Sequence, residues 1–254
     1  MLDEIKLIEE LALRAWPAEI ADALDGWWMR WHKVSSRRVN SVWPNAWDGM
    51  VPLALKLEKV EFFYAMRGQP ARYQICPAAR PAGLDEVLEA RGYTVDARTA
   101  VQVAEVDKVI QAAQPAQAEV KLFETLDDEW LEGYCWVQEE NLKSFPSRRE
   151  ALARVAVPSV YGLVYVDGEV AAVGRGVFER GWMGVFGMAT GAGFRRQGLA
   201  TSILGALAAR GQESGAEKMY LQVMENNSGA QALYGKLGFS TLYHYHYREQ
   251  NLKG

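Results

Sequence analysis

A strand, a glycine-containing loop and a helix follow one another without interruption in the segment GMATGAGFRRQGLATSILGALAARG, residues 187–211. A strand that ends in a tight loop and enters a helix brings unpaired backbone N–H groups and the positive end of the helix dipole together. Such a place favours an anion such as phosphate, and Gly198 lets the backbone approach that anion closely. The segment therefore predicts an anion site in a protein that combines helices with a sheet.

Two common phosphate-binding loops do not match these residues. The ATP-binding loop needs a lysine and a serine or threonine after its second glycine, whereas Leu199 and Ala200 follow Gly198. The dinucleotide-binding fingerprint needs a glycine where the chain has Arg196. The pattern that remains is R-x-x-G-x-A, formed by Arg195, Gly198 and Ala200. It fits a pyrophosphate-sized anion that is bound without metal-ligating residues.

The composition argues against several other classes of protein. The 254 residues are 49% hydrophobic and 24% charged, which is ordinary for a globular chain with a sizeable core. A formal net charge of -4 argues against sequence-independent binding of nucleic acid, which needs a basic surface. No apolar run approaches the ~20 residues of a membrane span, and the acidic N-terminus is unlike a secretory signal. We therefore expect a cytoplasmic protein that does not insert into a membrane.

The two cysteines do not indicate a metal centre or a disulfide framework. Cys76 and Cys135 are far apart in the sequence and lack the spacing of metal ligands. We expect both to be buried as small apolar side chains.

The first half of the chain is predicted to alternate between helices and strands. Helices are predicted over residues 3–14 and in VPLALKLEKVEFFYAMRG, and Pro17 suggests a further short helix that stops at Asp25 and Gly26. Aromatic and β-branched residues predict strands in GWWMRWHKV, SRRVNSVWP, ARYQIC and TVDARTAVQVAEV, with a short helix in GLDEVLEARGY. Residues 107–119 lose this periodicity, so a linker is predicted there.

The second half is predicted to contain a mixed, mainly antiparallel sheet. Three strands, VPSVYGLVYVD, GEVAAVGRGVFER and GWMGVFGMAT, are joined by Asp-Gly and Arg-Gly turns and should form an antiparallel meander. The strand VKLFETL and the helices DDEWLEGYCWVQEEN and SRREALARVA precede the meander. The helix after the loop, the strand EKMYLQVME, a helix over 228–237 and the strand FSTLYHYHYR follow it. Ser228 and Gln231 have capping-box spacing, and Gly238 has the position of a left-handed C-terminal cap.

A second motif, NSGAQALYGKLGF, follows the loop, its helix and a strand, and contains Asn227, Tyr234 and Gly238 in that order. Together with GFRRQGLA, and in register over 120–248, it resembles the GCN5-related N-acetyltransferases, the GNAT family. The first half resembles the degenerate N-terminal repeat of tandem members, and the similar segments EVLEARGYTV and ALYGKLGFST suggest an old duplication. The resemblance implies an α+β fold of two tandem GNAT-like domains, 1–116 and 117–254, of which the second is catalytic.

The resemblance also implies acetyl-CoA as the acyl donor, bound without a metal ion. In the family, the strand before the loop lines the pantetheine arm, and the loop amides hold the pyrophosphate. The cofactor-binding positions carried over to this chain are Met188, Ala189, Thr190, Arg195, Arg196, Gln197, Gly198, Leu199, Ala200, Thr201 and Asn227.

Tyr234 and Glu225 are the candidate catalytic residues. The resemblance assigns Tyr234 to protonation of the departing CoA thiolate, which is chemically reasonable because a thiol titrates near ~8.5 and a tyrosine near ~10. Relatives often deprotonate the acceptor amine with a glutamate on the fourth or fifth strand, and the matching position on the fifth is Gln222, which cannot act as a base. Glu225, three residues further on, is the remaining candidate, with a solvated surface charge as the alternative.

Several alternatives stay open at this point. An N-acetyltransferase that acetylates a primary amine within a ternary complex competes with a non-catalytic acyl-CoA sensor and with a purely structural protein. The acceptor amine could belong to a metabolite, a peptide, a lysine side chain or an antibiotic. A homodimer is also possible. His244 and His246 share one strand face, and without a third metal ligand we expect them to face solvent, opposite an aromatic face of Tyr243, Tyr245 and Tyr247.

Overall fold

A computed structural model of the protein describes residues 1–33, 36–138 and 145–250. The first half contains the elements α1 (Leu2–Ala15), β1 (Ile20–Leu24), β2 (Trp27–Trp31), β3 (Val42–Trp43), α2 (Leu53–Ala65), β4 (Arg72–Ile75), α3 (Leu84–Ala90), β5 (Tyr93–Glu105) and α4 (Val106–Ala112). The second half contains β6 (Lys121–Phe123), α5 (Asp128–Val137), α6 (Phe145–Ala153), β7 (Ser159–Val166), β8 (Glu169–Glu179), β9 (Trp182–Thr190), α7 (Leu199–Glu213), β10 (Lys218–Met224), α8 (Ser228–Lys236) and β11 (Ser240–Gln250).

The described strands form one continuous sheet of eleven strands, in the order β1-β2-β3-β4-β11-β5-β10-β9-β8-β7-β6. Strands β9 and β10 pair in parallel, as do β3 and β4, and the other neighbours are antiparallel. The mixed, mainly antiparallel α+β fold is therefore as predicted. The three-stranded meander of β7, β8 and β9 is confirmed with both of its turns.

Strand β5 connects the two halves of the chain. It lies between β10 and β11, with Thr99 opposite Met224 on one edge and Tyr93 opposite Gln250 on the other. Strand β11 also pairs with β4, where His246 lies opposite Ile75. Backbone hydrogen bonds therefore connect strands from both sides of the predicted boundary between residues 116 and 117. That boundary stays a prediction.

The predicted linker over 107–119 is partly wrong. Its first part belongs to α4, which packs against α7, and Val106, Val109 and Ala113 are buried in the same apolar cluster as Leu204. The spacing of three and four residues places these side chains on one helical face. The alanines and glutamines around them obscure this short amphipathic pattern in the sequence.

The short helix predicted after Pro17 is also wrong, because β1 occupies this position and forms a hairpin with β2. Asp25 and Gly26 have φ values of 48° and 84°, which is the backbone of a two-residue hairpin turn and not of a helix end. The predicted strand SRRVNSVWP is reduced to the two residues of β3. Val34, the last residue of the predicted strand GWWMRWHKV, lies outside the described residues, as do the last three residues of DDEWLEGYCWVQEEN.

Predictions about the interior are confirmed. Cys76 and Cys135 are both buried. The tyrosines of β11 are buried, whereas His244 on the opposite face is 57% exposed. His246 is less exposed than expected because its Nε2 atom lies 2.8 Å from the carboxylate of Asp85.

A buried carboxyl group lies where α1 packs on the centre of the sheet. Glu9 is 1% exposed. Its two oxygens accept hydrogen bonds from the Tyr243 hydroxyl at 2.7 Å, the Gln74 amide at 2.7 Å and the Trp43 indole at 3.3 Å. Burial nevertheless dominates and raises the pKa of Glu9 from 4.5 to about 7.

This pKa predicts how stability changes with pH. Between 4.5 and about 7 the folded chain holds a proton on Glu9 that the unfolded chain has lost, so stability falls as the pH rises through this window. The free energy of unfolding should fall by up to about 3 kcal/mol from this group. Glu9→Gln mimics the protonated carboxyl group and should remove the fall, as measured by urea denaturation across the window. An identical pH profile in the variant would contradict this account.

Candidate functional site

The candidate site is an opening between β9 and β10. The two strands pair in parallel from Lys218 opposite Trp182 to Leu221 opposite Val185, and the ladder ends there. Beyond this point β9 stays paired with β8 as far as Thr190, and β10 stays paired with β5. Each strand is held by its outer neighbour, so the backbone groups on the inner edges have no ladder partner across the opening.

A β-bulge in β9 lies at the start of the opening. Gly187 and Met188 together oppose Gly174 of β8, because the register shifts between Val173 and Arg175. Gly187 has a φ of 61°, and a Cβ atom on Gly174 would lie 2.5 Å from the sulfur of Met188. An extra residue in one strand bends it and increases its twist, so the bulge turns β9 away from β10.

A cavity of about 790 Å³ fills this opening. Both halves of the chain line it: Phe186 to Met188 come from β9, Leu221 to Met224 from β10, Thr99 from β5, and Tyr245 and Tyr247 from β11. Trp16, which follows α1, and Tyr134 of α5 complete the aromatic part of the wall. A cavity of this size that combines apolar walls with a few polar groups is typical of a small-molecule site.

Tyr234 lines the cavity from α8. It is 9% exposed, and its ring packs edge-on against Phe239 at 5.9 Å between centroids. Burial raises the pKa of Tyr234 to about 12. The phenol is therefore neutral at physiological pH and available as a hydrogen-bond donor.

Asn227 also lines the cavity, and it is the N-terminal cap of α8. Its side-chain oxygen accepts a hydrogen bond from the backbone N–H of Ala230 at 3.1 Å. The predicted capping box on Ser228 is therefore wrong by one residue. Gln231 instead donates from its side-chain amide to the backbone oxygen of Glu225 at 2.8 Å. These bonds fix the start of α8 and hence the position of Tyr234.

Glu225 does not line the cavity. It follows the end of β10, and its carboxylate lies 3.6 Å from Nε2 of the exposed His244. Gln222 does line the cavity, and its Oε1 atom is buried without a hydrogen-bond partner among the described residues. No Asp or Glu is found among the described residues of the cavity wall. The assignment of Glu225 as the general base stays a prediction.

The predicted anion loop leads from β9 into α7 through a short 3-10 turn, Ala192–Phe194. Arg196 and Gly198 have φ values of 66° and 79°, so the chain enters the helix through left-handed positions. The first intrahelical bond of α7 runs from the N–H of Ser202 to the oxygen of Gly198 at 3.0 Å. The three preceding amides, those of residues 199–201, therefore have no intrahelical partner.

The remaining predicted cofactor residues lie along the same path. Met188, Ala189 and Thr190 are half-buried at the end of β9, and only Met188 of the three lines the cavity. The side chains of Arg195, Arg196 and Gln197 are exposed. Arg195 donates from Nε to the oxygen of Thr190 at 3.4 Å, and neither arginine forms an ion pair with another residue of the described ranges. The amides without an intrahelical partner and the two arginines without an ion pair give the loop a positive field.

Two structural features of the site escaped the sequence analysis. The Ser202 hydroxyl accepts hydrogen bonds from the backbone N–H groups of Gln117 and Ala118, at 2.9 and 3.2 Å, which ties residues 117–118 to the first turn of α7. The part of the wall contributed by Trp16, β5 and β11 also escaped, because nothing local in the sequence indicates that these parts line the same cavity as β9.

The described residues contain no group of three or more His, Cys, Asp or Glu side chains that could hold a metal ion. None of the described helices has the length and the apolar character of a membrane-spanning segment.

Solved structures with the same fold define the class of the protein. A GCN5-related N-acetyltransferase from Kribbella flavida aligns with a TM-score of 0.71 and 17% identity over 100% of this chain and 96% of its own. A tandem GNAT protein from the clavulanic acid biosynthesis pathway aligns with a TM-score of 0.62 and 14% identity over 79% of this chain and 70% of its own. The fold is that of the GNAT acetyltransferases.

Sequence comparison places the chain more narrowly. A family model described as "Probable histone acetyltransferase Rv0428c C-terminal" matches residues 3–248, and the chain belongs to this acetyltransferase family. The uncharacterized N-acetyltransferase YobR of Bacillus subtilis (strain 168) is 29% identical over 261 residues, which covers 97% of this chain and 99% of the relative. The protein is thus an N-acetyltransferase of the GNAT type.

Gly198 offers a test of the loop. A Cβ atom at this position would lie 2.5 Å from Cγ of Gln117, and φ is 79°. Gly198→Ala should therefore distort the loop and weaken acetyl-CoA binding by at least about 10-fold, as measured by isothermal titration calorimetry.

The matched control is Gly193→Ala in the same loop, where a Cβ atom would meet nothing within 4 Å. This variant should bind acetyl-CoA as the wild type does. Equal affinity in the Gly198 variant would remove the loop from the binding site.

Proposed function

We propose that the protein transfers the acetyl group of acetyl-CoA directly to a primary amine, in a ternary complex within the β9–β10 opening. The observation that carries this proposal is the juxtaposition of three features along one path. These are the unpaired edge of β9, the free amides at the start of α7, and the buried phenol of Tyr234 in the same cavity.

The donor is proposed to lie along β9. Backbone groups of Met188, Ala189 and Thr190 would pair with the amide groups of the pantetheine arm, as a further strand would. The pyrophosphate would accept hydrogen bonds from the amides of residues 199–201, at the positive end of the dipole of the 15-residue helix α7. Arg195 and Arg196 are exposed beside these amides and would add charge-assisted contacts.

The proposed reaction needs two proton movements. The neutral amine attacks the thioester carbonyl, the C–S bond breaks, and the sulfur leaves as a thiolate. The attacking nitrogen loses one proton to water as the amide forms, and a proton from water restores the phenol of Tyr234 after its transfer. Tyr234 donates a hydrogen bond, and then a proton, to that sulfur. Burial raises the pKa of Tyr234 to about 12, but the same desolvation raises the pKa of a thiol in the cavity. The donor and the acceptor of the proton therefore shift in the same direction.

Glu225 is the proposed general base. The carboxylate of Glu225 lies beside His244 and outside the cavity wall, so it would have to act through water. An amine that enters in its neutral form needs no residue to deprotonate it before the attack, and the proton that its nitrogen loses afterwards can pass to water. In that case kcat/KM should rise with pH until the free amine is deprotonated, and Glu225→Gln should leave this profile unchanged.

The second candidate is a non-catalytic acyl-CoA sensor. It is favoured by one specific observation: the described part of the cavity wall has Gln222 where a base would stand and contains no carboxylate. The sensor and the enzyme share the binding site for the donor, so turnover distinguishes them. The histone in the name of the family model is one candidate acceptor among several.

Donor binding predicts a thermal shift. Acetyl-CoA at about a hundred times its Kd should add about 2.7 kcal/mol to the free energy of unfolding. For a chain of this length that raises Tm by roughly 5–10 °C, measurable by differential scanning fluorimetry. An unchanged Tm at millimolar acetyl-CoA would contradict both the enzyme and the sensor.

Tyr234→Phe tests the proton donor. The variant keeps the ring contact with Phe239 and loses only the hydroxyl, so kcat should fall about 10²–10⁴-fold while the Kd for acetyl-CoA stays the same. A thiol-release assay measures the rate, and calorimetry measures the affinity.

Tyr165→Phe is the matched control, because Tyr165 is 42% exposed and does not line this cavity. It should be as active as the wild type. A Tyr234 variant with an unchanged kcat would exclude this tyrosine from the mechanism.

A further inference from the structure

Three arginines are the charged residues in the described wall of the cavity. Arg37 and Arg38 come from the segment between β2 and β3, and Arg148 comes from α6. No Asp, Glu, Lys or His of the described residues accompanies them in the wall. The charged side chains in the described wall of the cavity are therefore all arginines. We call these three residues the arginine wall.

Arg38 is the member of the arginine wall that is best placed for binding. It is half-buried, and its guanidinium carbon lies 5.4 Å from the ring centroid of Phe186. Phe186 immediately follows Val185, the last residue of β9 that pairs with β10, so Arg38 lies at the narrow end of the opening. Its guanidinium forms no hydrogen bond or ion pair with any residue of the described ranges, whereas Arg37 pairs with Asp96.

A second guanidinium group lies against the same ring. Arg175 is 1% exposed, and its guanidinium carbon lies 5.3 Å from the centroid of Phe186 and 4.7 Å from that of Trp16. One of its terminal nitrogens donates to the oxygen of Ala15 at 2.8 Å, and the other has no partner among the described residues. A positive charge out of water is costly unless it is paired. Two incompletely paired guanidinium groups here favour an anionic ligand.

The phosphates of the donor do not account for this charge. The loop proposed for the pyrophosphate contains its own arginines, Arg195 and Arg196, and neither lines the cavity. The pantetheine arm separates the pyrophosphate from the thioester, and the thioester must reach Tyr234. The arginines of the loop therefore leave Arg38 available to the other substrate, the acceptor.

We propose that the acceptor is a primary amine that also carries a carboxylate or phosphate group, and that Arg38 binds this anionic group. This inference rests on the proposed acetyl transfer. The planar fork of a guanidinium group matches both anions with two parallel hydrogen bonds. The positive charge of Arg38 repels polyamines and lysine-rich peptides.

Matched acceptors test the charge requirement. Each free amino acid is compared with its amide, and phosphoethanolamine with ethanolamine, by thiol release from acetyl-CoA. Each pair differs in the anionic group, and the two arms distinguish carboxylate from phosphate. An amide has the more acidic ammonium group and so the larger neutral fraction, which makes a preference for the free acid a demanding result. We expect the anionic member to have the higher kcat/KM.

Variants of Arg38 test the assignment to this residue. Arg38→Gln should raise the KM for the preferred anionic amine about 10-fold to 100-fold and leave the KM of its neutral counterpart and the Kd of acetyl-CoA unchanged. Arg38→Lys keeps the positive charge but loses the planar fork, so its KM for the anionic amine should lie between that of the wild type and that of Arg38→Gln. Arg38→Glu should shift the preference towards putrescine, a reversal that a purely structural role would not produce.

Arg149→Gln is the matched control, because Arg149 is the exposed neighbour of Arg148 and pairs with Asp128 outside the cavity. It should retain the wild-type preference. If acetyl-CoA fails to bind the wild type, the proposed function fails. If acetyl-CoA binds but no anionic amine is acetylated, or neutral amines react equally well, the anionic acceptor is wrong while donor binding stands. If Arg38→Gln lowers kcat/KM equally for the anionic amine and for its neutral counterpart, the role of Arg38 is also overturned.

Discussion

The pairing of β5 with β10 and β11 is the constraint on which the site depends. Strand β10 leaves β9 after Leu221, and it stays extended because Thr99 and its neighbours on β5 hold its other edge as far as Met224. Without β5 the opening would have one free wall with unpaired backbone groups. The first half of the chain thus supplies the strand that holds β10 in place along the opening.

The same pairing gives the cavity a wall from both halves. Thr99, Tyr245 and Tyr247 reach it through the sheet, and Arg38 reaches it through the segment before β3. The proposed donor side is built from β9, the loop into α7, and α8, which are close in sequence. The proposed acceptor side is built from elements distant in sequence, so the two sides can vary independently. This division fits a fold in which the donor stays the same and the acceptor differs.

Local chemistry could be predicted from the sequence. The loop, the start of α7 and the placement of Tyr234 follow from short-range patterns, such as the left-handed glycine at 198 and the cap at Asn227. The hairpin turn at Asp25 and Gly26 differs from the predicted helix end, because an Asp-Gly pair is common both at the ends of helices and in hairpin turns. The arginine wall could not be predicted, because the contact of Arg38 with Phe186 spans 148 positions of sequence and depends on the shared sheet. Glu225 was chosen by position along β10, and the direction of its side chain follows from the strand end and not from the pattern.

A crystal structure with acetyl-CoA bound would test the central claim most directly, through the position of the cofactor. The account predicts the pantetheine arm along β9 beside Met188, the pyrophosphate at the amides of residues 199–201, and the sulfur within hydrogen-bonding distance of the Tyr234 hydroxyl. A cofactor that is bound outside the opening between β9 and β10, or whose sulfur lies away from Tyr234, would contradict the account.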